Sequence, residues 1–119
     1  MTDWRVKKVQ HEPVAADGYR VLVDRLWPRG TSKERAQLAE WAKEVAPSTE
    51  LRTWVHADLD GRWAEFSERY RAELATGNAA AALLRRTADQ KVVTLLVAAH
   101  DEQRNRALIL REVLRELAD

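Results

Sequence analysis

Val92-Val93-Thr94-Leu95-Leu96-Val97-Ala98-Ala99 is an eight-residue run in which Thr94 is the only polar side chain. A strand with one face in water alternates apolar and polar side chains, whereas a strand buried on both faces is apolar almost throughout. Strands of the second kind belong to parallel sheets that are covered by helices. The run therefore predicts an interior strand of a mostly parallel sheet.

A second buried strand is predicted over residues 19–24, Tyr-Arg-Val-Leu-Val-Asp. The turn dipeptide Asp17-Gly18 precedes it, and Pro28 and Gly30 end it, because proline and glycine interrupt regular structure. Residues 4–10 have a weaker pattern of apolar residues among charged ones, which predicts a strand near the edge of the sheet.

Helical periodicity is clearest over residues 62–76, where Trp63, Phe66, Tyr70 and Leu74 recur at helical intervals before Gly77. Other helices are predicted near Ser32 with a Thr31/Glu34 capping box, over 48–54 with Ser48 as cap, over 79–87, and over 102–117 with an inner stripe of Leu110, Val113, Leu114 and Leu117. Residues 38–45 fit both a strand and a helix, and both readings stay open.

Strands that alternate with helices predict an α/β fold, with a small, mostly parallel sheet flanked by helices. The 119 residues suit one domain spanning 1–119. No stretch has the roughly 20 apolar residues that cross a bilayer, and the charged N-terminus is not a signal peptide. The absence of cysteine excludes disulfides and thiolate chemistry and favours a reducing compartment, so we expect a cytoplasmic protein. Its excess of arginine over lysine suggests a bacterial genome of high GC content.

Polar side chains follow the two buried strands, at residues 24–30 and 100–105. Ligands of open parallel sheets bind beyond the carboxyl ends of the strands, so these two segments are expected to form the site. The first segment resembles a known family. Residues 17–30, DGYRVLVDRLWPRG, resemble the hallmark of the domain-of-unknown-function 488 (DUF488) family, in its short YeaO-like bacterial branch.

The resemblance continues along nearly the whole chain, through residues 46–52, Arg62-Trp63, Phe66, Arg69-Tyr70, Glu73-Leu74, Thr94-Leu95-Leu96 and Asn105-Arg106-Ala107. It implies a small α/β protein and carries no assigned activity. Relatives of that branch often have a tyrosine where Val97 stands, a lysine or arginine where His100 stands, and a histidine or asparagine where Arg106 stands.

Arg25 and Arg29 are the candidate anion ligands, since guanidinium groups match phosphate and carboxylate oxygens in bidentate geometry. Asp24 and His100 are the candidate acid/base groups. Trp27 is a candidate wall for a planar ligand, and Asn105 would orient that ligand. Several have a structural alternative. Asp24 could form a salt bridge with Arg25 or Arg29 or anchor the turn by a hydrogen bond, and Arg25 could pair with a buried carboxylate. Arg29 and Asn105 could simply face the solvent.

Asp101 is expected to cap the last helix, and Lys33 and Arg35 are expected to be surface charges. His11, His56 and His100 lack the spacing of common metal motifs, so no metal and no cofactor are predicted, and His56 is expected to serve a turn. The other four tryptophans are expected to pack in the core or in loops.

Three hypotheses follow for these residues. The first is a site for an anionic or nucleotide-like small molecule, whether catalytic or not. The second is a non-enzymatic module that binds nucleic acid or a protein through the arginine-rich surface, although the net charge of +1 does not favour nucleic acid. The third is a buried network of Asp24, Arg25 and Arg29 that only fixes the loop.

Overall fold

A computed structural model describes residues 2–98 and 104–119 and shows an α/β fold built on one four-stranded parallel sheet. The strands are β1 (Asp3–Lys8), β2 (Tyr19–Leu22), β3 (Glu40–Trp41) and β4 (Val92–Val97), in the order β1-β4-β2-β3. All three strand pairs are parallel. The predicted fold is confirmed, with β4 in the interior and β1 at an edge.

Five helices surround the sheet in the described part of the chain: α1 (Lys33–Ala36), α2 (Thr49–His56), α3 (Leu59–Thr76), α4 (Ala79–Arg86) and α5 (Arg106–Ala118). Helices α2 to α5 contribute to the larger core with Val21, Val23, Val93, Leu95 and Val97, whereas Leu22 and Leu96 pack with Ala36 of α1 in a smaller one. Because successive strand residues face opposite ways, β2 and β4 are buried on both sides. None of these helices combines the length and apolar character needed to cross a bilayer.

Several boundaries differ from the sequence prediction. Ser32 caps α1, and its hydroxyl accepts the N–H of Arg35 at 3.0 Å, so the predicted Thr31/Glu34 capping box is wrong. Residues 38–45 contain the short β3 and then a 3₁₀ turn, Lys43–Val45, which explains why two periodicities competed there. The helix predicted from residue 62 begins earlier, at Leu59.

The last helix begins at Arg106 rather than at residue 102, and Asn105 is its N-cap. Its inner stripe ends at Leu114, because Leu117 is 49% exposed near the end of the chain. His100 and Asp101 lie outside the described residues. The predicted acid/base role of His100 and the capping role of Asp101 therefore stay predictions.

Gly18 allows β2 to begin directly beside β4. Its φ is +64°, and a Cβ atom at this position would lie 2.5 Å from the carbonyl oxygen of Val92. Only glycine combines this left-handed backbone with so close an approach. The turn dipeptide that predicted the start of β2 therefore has a packing role as well.

Candidate functional site

A cavity of about 710 Å³ lies beyond the carboxyl ends of the strands, where the sequence predicted a site. The loop after β2 forms one side of it, and the end of α2, the first half of α3 and the start of α5 form the others. The cavity has the size of pockets that enclose small molecules, which span roughly 300–1,000 Å³. Among the described residues, its charged lining consists of five arginines and one carboxylate: Arg25, Arg29, Arg52, Arg104, Arg106 and Asp24.

Residues 24–30, here called the arginine loop, are held at both ends by tryptophan side chains. The indole N–H of Trp41 donates to the carbonyl of Asp24 at 2.7 Å, and that of Trp27 donates to the carbonyl of Thr31 at 2.6 Å. The two rings pack edge to face with centroids 5.3 Å apart. These bonds fix the backbone that carries Arg25 and Arg29.

Asp24 is buried, with 4% of its surface exposed, and both of its carboxylate oxygens have partners. Oδ2 accepts the backbone N–H of Ala98 at 2.8 Å, and Oδ1 forms an ion pair with the guanidinium of Arg106. The structural alternative for Asp24 was thus right about a salt bridge, but the partner is neither Arg25 nor Arg29. Charges this deep are normally paired, and Arg106 supplies the pair.

Arg25 joins the arginine loop to the turn that precedes α2. Its Nε and Nη2 atoms donate to the carbonyl oxygens of Pro47 and Ala46 at 3.3 and 3.2 Å. The alternative of a pairing with a buried carboxylate does not occur among the described residues. Neutral carbonyls do not cancel the guanidinium charge, so Arg25 remains a positive group at the wall of the cavity.

Arg29 and Arg52 differ from the other cavity arginines. Arg29 is exposed at the end of the loop, and Arg52 is half-buried on α2. Within residues 2–98 and 104–119, neither guanidinium donates a hydrogen bond or pairs with a carboxylate. Their donors are therefore available to a ligand in the cavity.

His56, the last residue of α2, also lines the cavity. Partial burial, together with the positive charges of Arg52 and Arg106, lowers the pKa of this imidazole below its ordinary value of 6.5. The sequence predicted only a turn role, because residues 56–58 were expected to form a loop before the long helix, whereas His56 is part of α2. Asp58 does serve the turn: its side chain accepts the N–H of Gly61 at 3.1 Å and caps α3.

Asn105 is buried, and its side-chain oxygen accepts the N–H of Ala107 at 2.8 Å as the cap of α5. It is not among the residues that line the cavity, so its predicted contact with a ligand finds no support in this geometry. Trp27 does line the cavity, yet its indole nitrogen donates to Thr31 and its ring packs against that of Trp41. Lys33 and Arg35 are exposed on α1, away from the cavity.

Among the basic side chains of the described lining, Arg52, His56, Arg104 and Arg106 are the ones that the sequence did not single out for the site. They lie on α2 and at or just before the start of α5, and no spacing relates them to the strand ends. In the described part of the chain, no group of three or more histidine, aspartate or glutamate side chains is arranged to hold a metal ion.

Comparison with known proteins gives one family match, to the family DUF488-N3i, described as "Inactive DUF488-N3 subclade", over residues 3–119. The chain is 44% identical over 111 residues to the uncharacterized protein YeaO of Escherichia coli (strain K12), covering 93% of this chain and 96% of that protein. It is 42% identical over 110 residues to the uncharacterized protein Rv3073c of Mycobacterium tuberculosis, covering 92% of each. No solved structure matches it.

Proposed function

The chain belongs to the DUF488-N3i family, and on that premise we propose that it holds a small anionic ligand in the cavity without converting it. The ligand would sit beyond the carboxyl ends of β2 and β4. Its negative charge would be met by the guanidinium groups of the arginine loop and of α2.

Unused guanidinium groups are the observation that carries this proposal. Arg29 and Arg52 line the cavity without an ion pair in the described chain, and Arg25 is bound only to neutral carbonyls. The one carboxylate of the described lining, Asp24, is already neutralised by Arg106. An excess of positive charge in a partly enclosed space attracts anions, and bidentate geometry suits phosphate or carboxylate oxygens.

Binding without conversion is supported by the lack of a nucleophilic hydroxyl, thiol or amine in the described lining, in which His56 is the only imidazole. The described lining contains no serine, threonine, tyrosine or lysine, and the chain has no cysteine. Both carboxylate oxygens of Asp24 are already engaged, one by a backbone N–H and the other by Arg106. The description of the family as inactive points the same way.

Isothermal titration calorimetry with inorganic phosphate and pyrophosphate tests the proposal. We expect Arg29→Ala and Arg52→Ala each to weaken pyrophosphate binding about tenfold, since a hydrogen bond to a charged group contributes roughly 1.5–3 kcal/mol. Arg35→Ala is the matched control, because it removes the same charge from an exposed position outside the cavity. It should leave the affinity unchanged.

Equal losses in all three variants would contradict a defined pocket and favour a diffuse basic surface. The nucleic-acid hypothesis is then tested with a single-stranded oligonucleotide: tight binding that weakens steeply with salt would support that module and overturn the small-ligand proposal. Hydrolysis of a bound phosphate ester, followed by phosphorus NMR, would overturn the claim that the ligand is not converted.

A further inference from the structure

Besides its arginines, the cavity is lined by apolar side chains of α2 and α3, namely Val55, Leu59, Trp63 and Phe66. An inorganic anion would use only the arginines. A cavity of about 710 Å³ is also far larger than a small ion needs, since a water molecule occupies about 30 Å³ in the liquid.

Trp63 is the outermost of three stacked rings on α3, here called the ring stack. Its ring lies 5.0 Å from that of Phe66 at an angle of 29°, and Phe66 lies 5.8 Å from Tyr70 at 28°. Tyr70 is buried, and its hydroxyl donates to the carbonyl of Val45, which fixes the inner end of the stack. The half-buried Trp63 is therefore held in a defined orientation at the cavity.

The other partly exposed tryptophans are already engaged. Arg62 and Arg69 lie over the ring of Trp54, and Lys43 lies over that of Trp41, which also packs against Trp27. In the described chain no cation covers Trp63, whose one ring partner is Phe66. A planar group bound in the cavity would extend the ring stack by one member.

We propose that the ligand is a nucleoside phosphate, with its phosphate at Arg29 and Arg52 and its base stacked on Trp63. This inference rests on the proposed anion site and adds the apolar lining residues of α2 and α3 to it. Gln10, exposed at the same cavity, offers an amide donor and acceptor for the edge of a base. Stacking of this kind tolerates different bases, because every base has an aromatic face.

Calorimetry with AMP, UMP, ribose 5-phosphate and inorganic phosphate tests the inference on the unaltered protein. We expect AMP to bind at least about tenfold more tightly than ribose 5-phosphate, which keeps the phosphate and lacks the base. UMP should fall between them, since its ring is smaller. If ribose 5-phosphate and AMP bind equally well, the stacking inference fails and the anion site stands. If none of the phosphates binds, both fail.

Substitutions of Trp63 then test whether the base binds against this ring. Trp63→Leu should weaken AMP binding about tenfold and leave ribose 5-phosphate unchanged, whereas Trp63→Phe should retain most of the AMP affinity. Trp54→Leu is the matched control, because that tryptophan lies on α2 outside this cavity. An equal loss of AMP affinity in the control overturns the assignment to Trp63. Should Trp63→Leu fail to fold, unchanged AMP affinity in both Trp63→Phe and Trp63→His would also overturn it, since an imidazole offers much less stacking area.

Discussion

The segment DGYRVLVDRLWPRG, residues 17–30, places arginines in two contrasting environments. Arg20, on β2, is 5% exposed, and all of its contacts are internal: Nη1 donates to Asp17 at 2.5 Å, and Nε and Nη2 donate to the carbonyl of Ala36. Arg29, at the end of the same segment, is exposed and has no such partner in the described chain. One residue type thus serves the fold at one end and is available for binding at the other.

The hydrogen-bond network around Asp17 explains why Arg20, at the first end of the segment, is not available to a ligand. Besides Arg20, its carboxylate accepts bonds from Lys7 and from the backbone N–H of Val14, and its carbonyl accepts the hydroxyl of Thr94 at 2.7 Å. Burial alone would raise the pKa of Asp17, but the bonds to its carboxylate from Val14, Lys7 and Arg20 outweigh burial and lower the pKa below 3.8. An arginine whose donors are used by buried acceptors is structural, whatever family motif contains it.

The largest effect on stability is expected when Arg20 is removed from this network. Arg20→Met keeps the aliphatic volume, but it leaves Lys7 as the one cationic partner of Asp17 in the described chain and the Ala36 carbonyl without its two arginine donors. We expect a loss of about 3 kcal/mol in the free energy of unfolding, the size found when one partner of a buried ion pair is removed. Urea denaturation followed by circular dichroism measures it.

Arg29→Met is the control at the other end of the segment. An exposed side chain without partners should change stability by no more than about 0.5 kcal/mol. Similar losses in the free energy of unfolding for the two variants would show that Arg20 contributes no more to stability than Arg29 does. Pyrophosphate affinity of the folded protein should show the reverse order, with Arg20→Met unaffected.

Asp24→Asn is expected to have the next largest effect. Asp24 lies between Arg20 and Arg29 in the segment, and the substitution removes its negative charge. The amide can still accept the N–H of Ala98, but Arg106 loses its counter-charge while 17% exposed. We expect a loss of about 2 kcal/mol in thermal or urea unfolding, somewhat less than for a fully buried pair. Anion affinity should rise rather than fall, because the cavity then carries one more net positive charge.

A catalytic or ligand-binding carboxylate predicts the opposite for Asp24→Asn, namely weaker binding at little cost in stability. Asp24→Glu serves as the control that keeps the charge while lengthening the side chain. A fall in pyrophosphate affinity for Asp24→Asn, with Asp24→Glu near normal, would make Asp24 part of the binding machinery and contradict its assignment to the ion pair.

The strands were predictable because burial on both faces leaves a local pattern: the runs around Val21 and Leu95 are apolar whichever way each residue points. The location of the cavity followed from the rule for parallel sheets. The partner of Asp24 did not, because Arg106 lies 82 residues along the chain and its position depends on how α5 packs. Trp63 fitted the core stripe of α3, and no periodicity separates a core residue from one at the edge of a cavity.

The smallest effect concerns the pH dependence of anion binding, which we expect to depend on His56. Partial desolvation, Arg52 and Arg106 lower the pKa of this exposed imidazole below 6.5, so the folded protein binds this proton less readily than the unfolded chain. Its contribution to stability is thus present above pH 6.5 and is lost as the pH falls below it.

A bound anion offsets the arginine charges and raises the pKa of His56 again, so binding takes up a proton. Affinity for sulfate, whose own charge is constant here, should increase a few-fold between about pH 8 and about pH 6. His56→Gln should flatten this dependence, and the exposed His11→Gln should not. A profile that is unchanged by His56→Gln would remove His56 from the anion site.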